Sequence, residues 1–363
     1  MNMELDAAIP QHLRCPRSQP TNTPPGWAPP VPAYMARFPD STTEIVIAVY
    51  GVQAQILPAR PLAPVIAFVE RKDPHAPRFW DMASAMDSQH YEMQTVIAYW
   101  DSKEEYNKWL ISSGFEKWWT SLKPESEMVG WFKEAFFPPI DRFETVFSDR
   151  EVPEGCAHMR QSMSGQILEH VYWGSARDRL PAAQTEVLDG EGPRAPSIGE
   201  ERDSIKQRIK VKGQKNICVI RSGQDWSATR PEERKLYLET MHPVLENGMY
   251  FLRDEGEQVG CIENRMMSVI DPKTLSADTD KTFGLGFFDS LGSLEKWSRM
   301  HKTHLAIFGR FLQYTKELDN DYTLRLHHEI MVLEPEQQDF EYIGCHSKTG
   351  LLSIGSASWE TVE

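Results

Sequence analysis

Two histidines stand three residues apart in the stretch MHKTHLAIF at 300–308, and an apolar run follows the second. On a helix spanning 289–311, Trp297, His301, His304 and Phe308 would share roughly one side. Three chemistries are open to such a pair. A zinc site needs further ligands, and no HExxH occurs in the chain. An iron porphyrin needs one axial histidine and a broad apolar slot, which Leu305, Ala306, Ile307 and Phe308 would suit. Two structural histidines on an amphipathic helix are the third reading. The pair by itself leaves all three open.

The segment LRLHHEI at 324–330 reads as a strand. Alternation puts Leu324, Leu326, His328 and Ile330 on one face and Arg325, His327 and Glu329 on the other. His328 therefore points with the apolar set, into the interior, where an imidazole needs a partner or a function. His327 falls on the solvent or helix side. In ICVIRSGQDW at 217–226 the same alternation groups Cys218, Ile220 and Ser222, with Arg221 opposite. Ser222 lies outside any GxSxG elbow, so it is no hydrolase nucleophile. It can donate a hydrogen bond to a ligand, or simply end a strand. LEHVYWGSARDRLP at 168–181 gathers His170, Tyr172, Trp173, Arg177, Asp178 and Arg179, with a turn expected at Gly174-Ser175. An arginine held there can orient an oxygen leaving group, or belong to a surface ion-pair cluster. Glu144 in RFETV can be a paired carboxylate, or a structural one like its counterpart Glu341 in DFEYI.

The elements that must carry these residues follow from composition and pattern. The chain has 363 residues with 40% hydrophobic and 25% charged content, enough for a large core or two ordinary domains. A net charge of -14 argues against a phosphate-backbone partner. The basic run IKQRIKVKGQK at 205–215 reads as a solvated strand or loop. Five scattered cysteines without a CxxC indicate neither a zinc knuckle nor a disulfide framework. No basic segment leads into an apolar run at the N-terminus, and no apolar stretch approaches eighteen residues. A cytoplasmic protein with no nucleic-acid or membrane partner is expected.

Residues 1–40 are proline-rich, an irregular arm that Trp27 and Tyr34 would hold against the body or a partner subunit. Residues 41–150 then run strand, loop, strand, helix, strand, with Asp101 or Ser102 as the helix cap. Residues 151–214 connect to 215–350, which repeats the order. A tail follows at 351–363. AYWDSKEEYNKW at 98–109 aligns without a gap on GFFDSLGSLEKW at 286–297, and WFKE at 131–134 on LHHE at 326–329. An internal duplication is the simplest account. Each half offers a ferredoxin-like βαββαβ unit, although the first helix of the first half is poorly marked. The expected fold is α+β: two such sheets packed face to face, helices outside, with room for a large apolar ligand at one end.

Six stretches together carry a family resemblance: HLRCPR (12–17), YWGSARDRLP (172–181), IRSGQDW (220–226), FLRDEGEQVGCIENR (251–265), KTHLAIF (302–308) and LHHE (326–329). Over roughly residues 10 to 350 the chain resembles the haem-containing aldoxime dehydratases. The resemblance implies a duplicated ferredoxin-like barrel assembled as a homodimer. It implies haem b (protohaem IX), active as ferrous iron, and an aldoxime substrate converted to a nitrile. It places the axial ligand at His304, with His301 a mere neighbour. It places the distal acid–base histidine at His328, the distal arginine at Arg179 and the distal serine at Ser222, with Glu144 and His170 in support. The chain departs from the family in a longer connection from His304 to His328, in a histidine at 327 where tyrosine is frequent, and in an extended tail. The competing readings are a peroxide-dependent haem enzyme of the dye-type peroxidase or chlorite-processing kind, and a haem-free barrel that binds a small hydrophobe.

Overall fold

The computed structural model describes residues 5–171, 176–192 and 203–362. The expected turn at Gly174-Ser175, with Tyr172 and Trp173, lies outside them. In chain order the strands are β1 (Ala36–Arg37), β2 (Val46–Ala54), β3 (Phe79–Met86), β4 (Glu92–Trp100), β5 (Gly130–Phe136), β6 (Phe143–Phe147), β7 (Ser162–Met163), β8 (Arg208–Val211), β9 (Ile217–Asp225), β10 (Cys261–Val269), β11 (Lys281–Phe288), β12 (Arg325–Leu333), β13 (Gln338–Ile343) and β14 (Trp359–Thr361). The helices are α1 (Ala63–Val69), α2 (Lys103–Ser112), α3 (Phe115–Ser121), α4 (Pro231–Leu236), α5 (His242–Glu255), α6 (Leu291–Met300) and α7 (Lys302–Glu317). The weakly patterned first helix is therefore real, and short.

The two sheets expected to pack face to face are one antiparallel sheet of twelve strands, in the order β14-β8-β13-β5-β2-β4-β3-β10-β11-β9-β12-β6. It curls strongly. β4 and β12 stand five places apart, about 24 Å if the sheet were flat, yet the Tyr99 hydroxyl on β4 donates to Glu329 on β12 at 2.9 Å. The concave side holds a core of buried apolar strand residues such as Ile97, Phe136, Val219, Phe287 and Met331. The helices cover the convex side.

The order is the same read from either side of the β3–β10 junction: β3-β4-β2-β5-β13 and β10-β11-β9-β12-β6. Ser102 and Ser290 begin α2 and α6 with the same backbone angles, φ −164° and ψ 161°, each accepting the N–H three residues on. Following the ladders outward from these caps, Tyr50 corresponds to Ser222, Lys133 to His328 and Asp339 to Glu144. Glu341, matched to Glu144 by sequence, is two residues out of register. β6 and β13 each complete the other half's part of the sheet, so Glu144 from the first half reaches the second.

The long helix expected over 289–311 is two. His301 is extended (φ −81°, ψ 136°) between α6 and α7 and caps the second, its side chain accepting from Thr303 N–H. The C-terminal tail adds β14 to the sheet edge beside β8. β8 itself, from the basic run, alternates buried Arg208, Ile209 and Val211 with exposed Lys210. Among the described residues no helix is long and apolar enough to cross a membrane.

Candidate active site

The convex faces of the two halves are filled differently. Over the first, α1–α3 pack a plug of Tyr50, Trp109, Phe115 and Trp119. Over the second, the sheet and α5–α7 leave a cavity of about 940 Å³ including its mouth. Ser222 lines it where Tyr50 fills the first half. Its walls are apolar, with Ile220, Met249, Leu294, Trp297, Ile307 and Phe311 among them. The floor is kept low by the alternating glycines of FGLGF on β11. A Cβ on Gly284 would lie 2.8 Å from Met249 Sδ. One on Gly286 would lie 3.2 Å from Asn264 Oδ1 and 3.3 Å from Ile220. That glycine spacing is a signal of close approach in the sequence, and the sequence reading passed over it.

His304 stands in the first turn of α7 and lines the cavity. It meets the Trp297 ring edge-on at 4.8 Å between centroids. Burial pushes its pKa down to about 4, opposed by the Ser298 backbone, so the ring is neutral near pH 7, the form that ligates metals. Its Nδ1 is buried without a hydrogen bond of ordinary geometry among the described residues. His301 does not share its helix face; it stacks on Phe251 at 4.3 Å. Among the described residues no group of three or more His, Cys, Asp and Glu could hold a metal ion. A neutral imidazole, a glycine floor and apolar walls fit haem.

The polar groups gather on the strands across from α7. His328 and Ser222 are direct cross-strand partners on β12 and β9, and both line the cavity. His328 Nε2 lies 2.9 Å from Glu144 Oε1 on β6. Arg179 grips the same carboxylate from its other side, Nε to Oε2 at 3.0 Å and Nη2 to Oε1 at 3.2 Å. Arg179 Nη2 is also 3.4 Å from His328 Nε2, and Nη1 donates to the Glu169 carbonyl at 3.0 Å. The Arg179 and Glu144 side chains are fully buried. Burial pushes the Glu144 carboxyl up, but Arg179 and then His328 hold it below the ordinary range. A buried ion pair is weak evidence of stabilisation in itself. What this one does is present a fixed negative charge to an imidazole at a cavity wall. His170 is buried close by: burial first, then Arg179, pushes its pKa down to about 3, and its Nδ1 is 3.3 Å from the Val31 carbonyl.

The arginine-rich triplet divides its work. Arg177 pairs with Glu295 at 3.0 Å, and Arg179 with Glu144. Asp178 accepts from Asn22 N, Thr23 N and Thr23 Oγ1 at 2.8, 2.7 and 2.6 Å, tying the proline-rich arm to this corner. The arm's Trp27 indole donates to the His170 carbonyl at 3.1 Å.

The alternation reading of LHHE is right in phase and wrong in direction. His328 does point with the apolar set, but that set faces the helices and the cavity. His327 is neither solvent-facing nor helix-side. It is buried toward the concave core, stacked on Phe147 and lying against Gly223, where a Cβ would be 2.1 Å from its ring. Behind the His328–Ser222 pair, Arg221 and Glu329 pair across the same two strands, tied to Tyr99 and Asp81. Only a curled sheet brings those four together.

A sequence profile of the haem-containing dehydratases matches residues 48–351. The chain belongs to this family. It is 36% identical over 353 residues to the aliphatic aldoxime dehydratase of Rhodococcus erythropolis, covering 96% of this chain and 98% of that one. It is 32% identical over 336 residues to the phenylacetaldoxime dehydratase of Bacillus sp. (strain OxB-1), covering 91% and 93%. Among solved structures, an aldoxime dehydratase in complex with butyraldoxime superposes with a TM-score of 0.86 at 35% identity, covering 96% of each chain. A second aldoxime dehydratase structure gives 0.86 at 34% identity, over 96% of this chain and 98% of the other.

Proposed function

We propose that this chain dehydrates aldoximes, R–CH=N–OH, to nitriles and water in the α5–α7 cavity. The observation that carries the reading is His328 at the cavity wall, backed by the buried Glu144–Arg179 pair, with His304 on the opposing helix. His304 would hold haem b through its neutral imidazole. When bound as ferrous iron, the group supplies electron density to an oxime nitrogen.

The rest is acid–base work by this chain's own side chains. Hydroxide is a poor leaving group, so His328, hydrogen-bonded to Glu144 at 2.9 Å, gives its proton to the oxime oxygen and water departs. Ser222, directly across the ladder, and Arg179 hold that oxygen as the N–O bond breaks. The neutral imidazole then takes the proton from carbon as the C≡N bond forms. One proton is given and one returned, so the reaction is redox-neutral and His328 is reset. Glu144 orients the ring. His170, kept neutral, packs beside Arg179 without competing for Glu144. The apolar walls take R and exclude water.

The matched strand orders, the shared serine caps and the correspondence of Lys133–Asp339 (2.8 Å) with His328–Glu144 support a duplicated ferredoxin-like ancestry. In this account one half kept a cavity and the other filled it with aromatics. A homodimer follows from the family resemblance, and sedimentation velocity tests it. Unpaired cysteines, four of the five buried, suit a reducing cytoplasm. Nitrile release from an aldoxime by haem-loaded, dithionite-reduced protein, with peroxide excluded, tests the activity. A peroxide requirement would point to the other haem chemistry.

A further inference from the structure

The cavity lies on one flank of α5. On the other flank an open groove of about 840 Å³ crosses the middle of the sheet. Along α5 the cavity takes Leu245, Met249 and Leu252, and the groove takes His242, Glu246 and Tyr250, two stripes at helical spacing. On β11 the cavity takes Gly284 and the groove Thr282. On β10 the cavity takes Asn264 and the groove Met266 and Ser268. The two spaces are thus neighbours on three elements.

Two polar contacts join one lining to the other. Tyr237 of the cavity has its hydroxyl 3.5 Å from Nδ1 of His242 in the groove. Thr282 of the groove donates to Gln224 Oε1 of the cavity at 2.9 Å. The first is at the outer limit of a hydrogen bond. It also falls where the helix is irregular: Tyr237–Met241 forms a single π turn between α4 and α5. Such turns break the regular backbone ladder and recur at functional positions. Here the turn delivers both Tyr237 and Met241 to the cavity wall.

We infer that the groove is the entrance by which an aldoxime reaches the cavity, and that the Tyr237–His242 and Gln224–Thr282 contacts are the partition it passes. The inference rests on the proposed function for the identity of the ligand. The groove's chemistry suits an oxime. Ser84, Ser268 and Thr282 offer hydroxyls to the N–OH end. Gln94 adds an amide oxygen with no partner among the described residues. Met86, 45% exposed, gives R an apolar surface that adapts to shape. The cavity beyond is mostly apolar, with Gln224, Asn264 and Ser298 among its polar lining besides the His328–Ser222 corner, so a ligand would enter past hydroxyls and turn its polar end to that corner.

The test is kinetic. n-Butyl isocyanide, a haem ligand that is no aldoxime, and a medium-chain alkyl aldoxime are each mixed with haem-loaded protein, and the Soret shift is followed by stopped flow. Wild type is compared with Ser268→Trp and Ser84→Trp, on different strands of the groove, and with His242→Ala. An obstructed entrance slows arrival and departure alike, so both tryptophan variants should lower kon and koff about tenfold and leave Kd within about twofold. His242→Ala, which unties Tyr237, should raise both rates. Wild-type rate constants in both tryptophan variants, with haem content unchanged, would overturn the entrance. So would a weaker Kd arising from koff alone. Isocyanide binding without any aldoxime binding would count against the proposed function, while the isocyanide rates still decide the entrance.

Discussion

His328 Nε2 and Glu144 Oε1 lie 2.9 Å apart on adjacent antiparallel strands, one from each half of the chain, with both side chains almost completely buried. Neither residue reaches the other without β6 crossing to the far half of the sheet. The acid–base pair therefore exists only in the fully assembled fold, and the predictions below follow from it.

His328→Ala removes the proton carrier and leaves the His304 wall untouched. Haem content and the Soret band should stay normal while turnover falls at least about 100-fold. Pyridine haemochrome assay together with nitrile chromatography reads both quantities. Near-normal turnover in the ferrous variant would remove His328 from the chemistry.

Ser222→Ala and Arg179→Ala address the grip on the leaving oxygen. Loss of one such donor typically costs about 100-fold or more in kcat. Ser222→Ala deletes one exchangeable contact and should fold normally. Arg179→Ala also strands the Glu144 charge in the interior, which costs about 3–5 kcal/mol of stability, so its melting temperature should drop as well. Unchanged kcat in Ser222→Ala would take the serine out of the clamp.

Glu144 also makes stability depend on pH, with a definite sign. Its folded pKa is depressed, so its contribution is complete above the ordinary glutamate value and is lost as pH falls through the lower folded value. The stability gap between wild type and Glu144→Gln should thus be widest near pH 7 and shrink below about pH 4. Chemical denaturation at several pH values measures it. A gap that widens on acidification would contradict the ion-pair geometry.

Gly223 tests the buried position of His327. A Cβ there would lie 2.1 Å from the ring, so Gly223→Ala should cost about 1–3 kcal/mol, the usual range for overpacking. The double variant Gly223→Ala/His327→Ala should recover part of that loss. Additive losses in the double-mutant cycle would show that the two residues do not press on each other.

Much of this was legible in the sequence. β-branched runs and the Asp-Ser caps marked the strands and the starts of α2 and α6, and alternation put His328 and Ser222 with the apolar face. What escaped were features set by long-range geometry. Alternation fixes a phase but cannot say which face of a curled sheet meets the helices, so His327 was placed outward although it is buried. Glu144 aligns by composition with Glu341, yet the ladders match it to Asp339, because strand register is set by pairing and not by local similarity. The break at His301 was hidden because its flanks both read as good helix. His304 over His301 came from family resemblance, and no spacing argument separated them.

The account's central claim is tested most directly by one anaerobic assay. Haem-reconstituted wild type, His304→Ala and His328→Ala are reduced with dithionite and given an alkyl aldoxime without peroxide, and haem content and nitrile are measured in the same samples. Wild type should produce nitrile, His304→Ala should lose its haem or its axial ligation and with it the activity, and His328→Ala should keep the haem and lose the activity. A haem-loaded wild type that forms no nitrile, or a His304→Ala protein with normally ligated haem and wild-type turnover, would contradict the account.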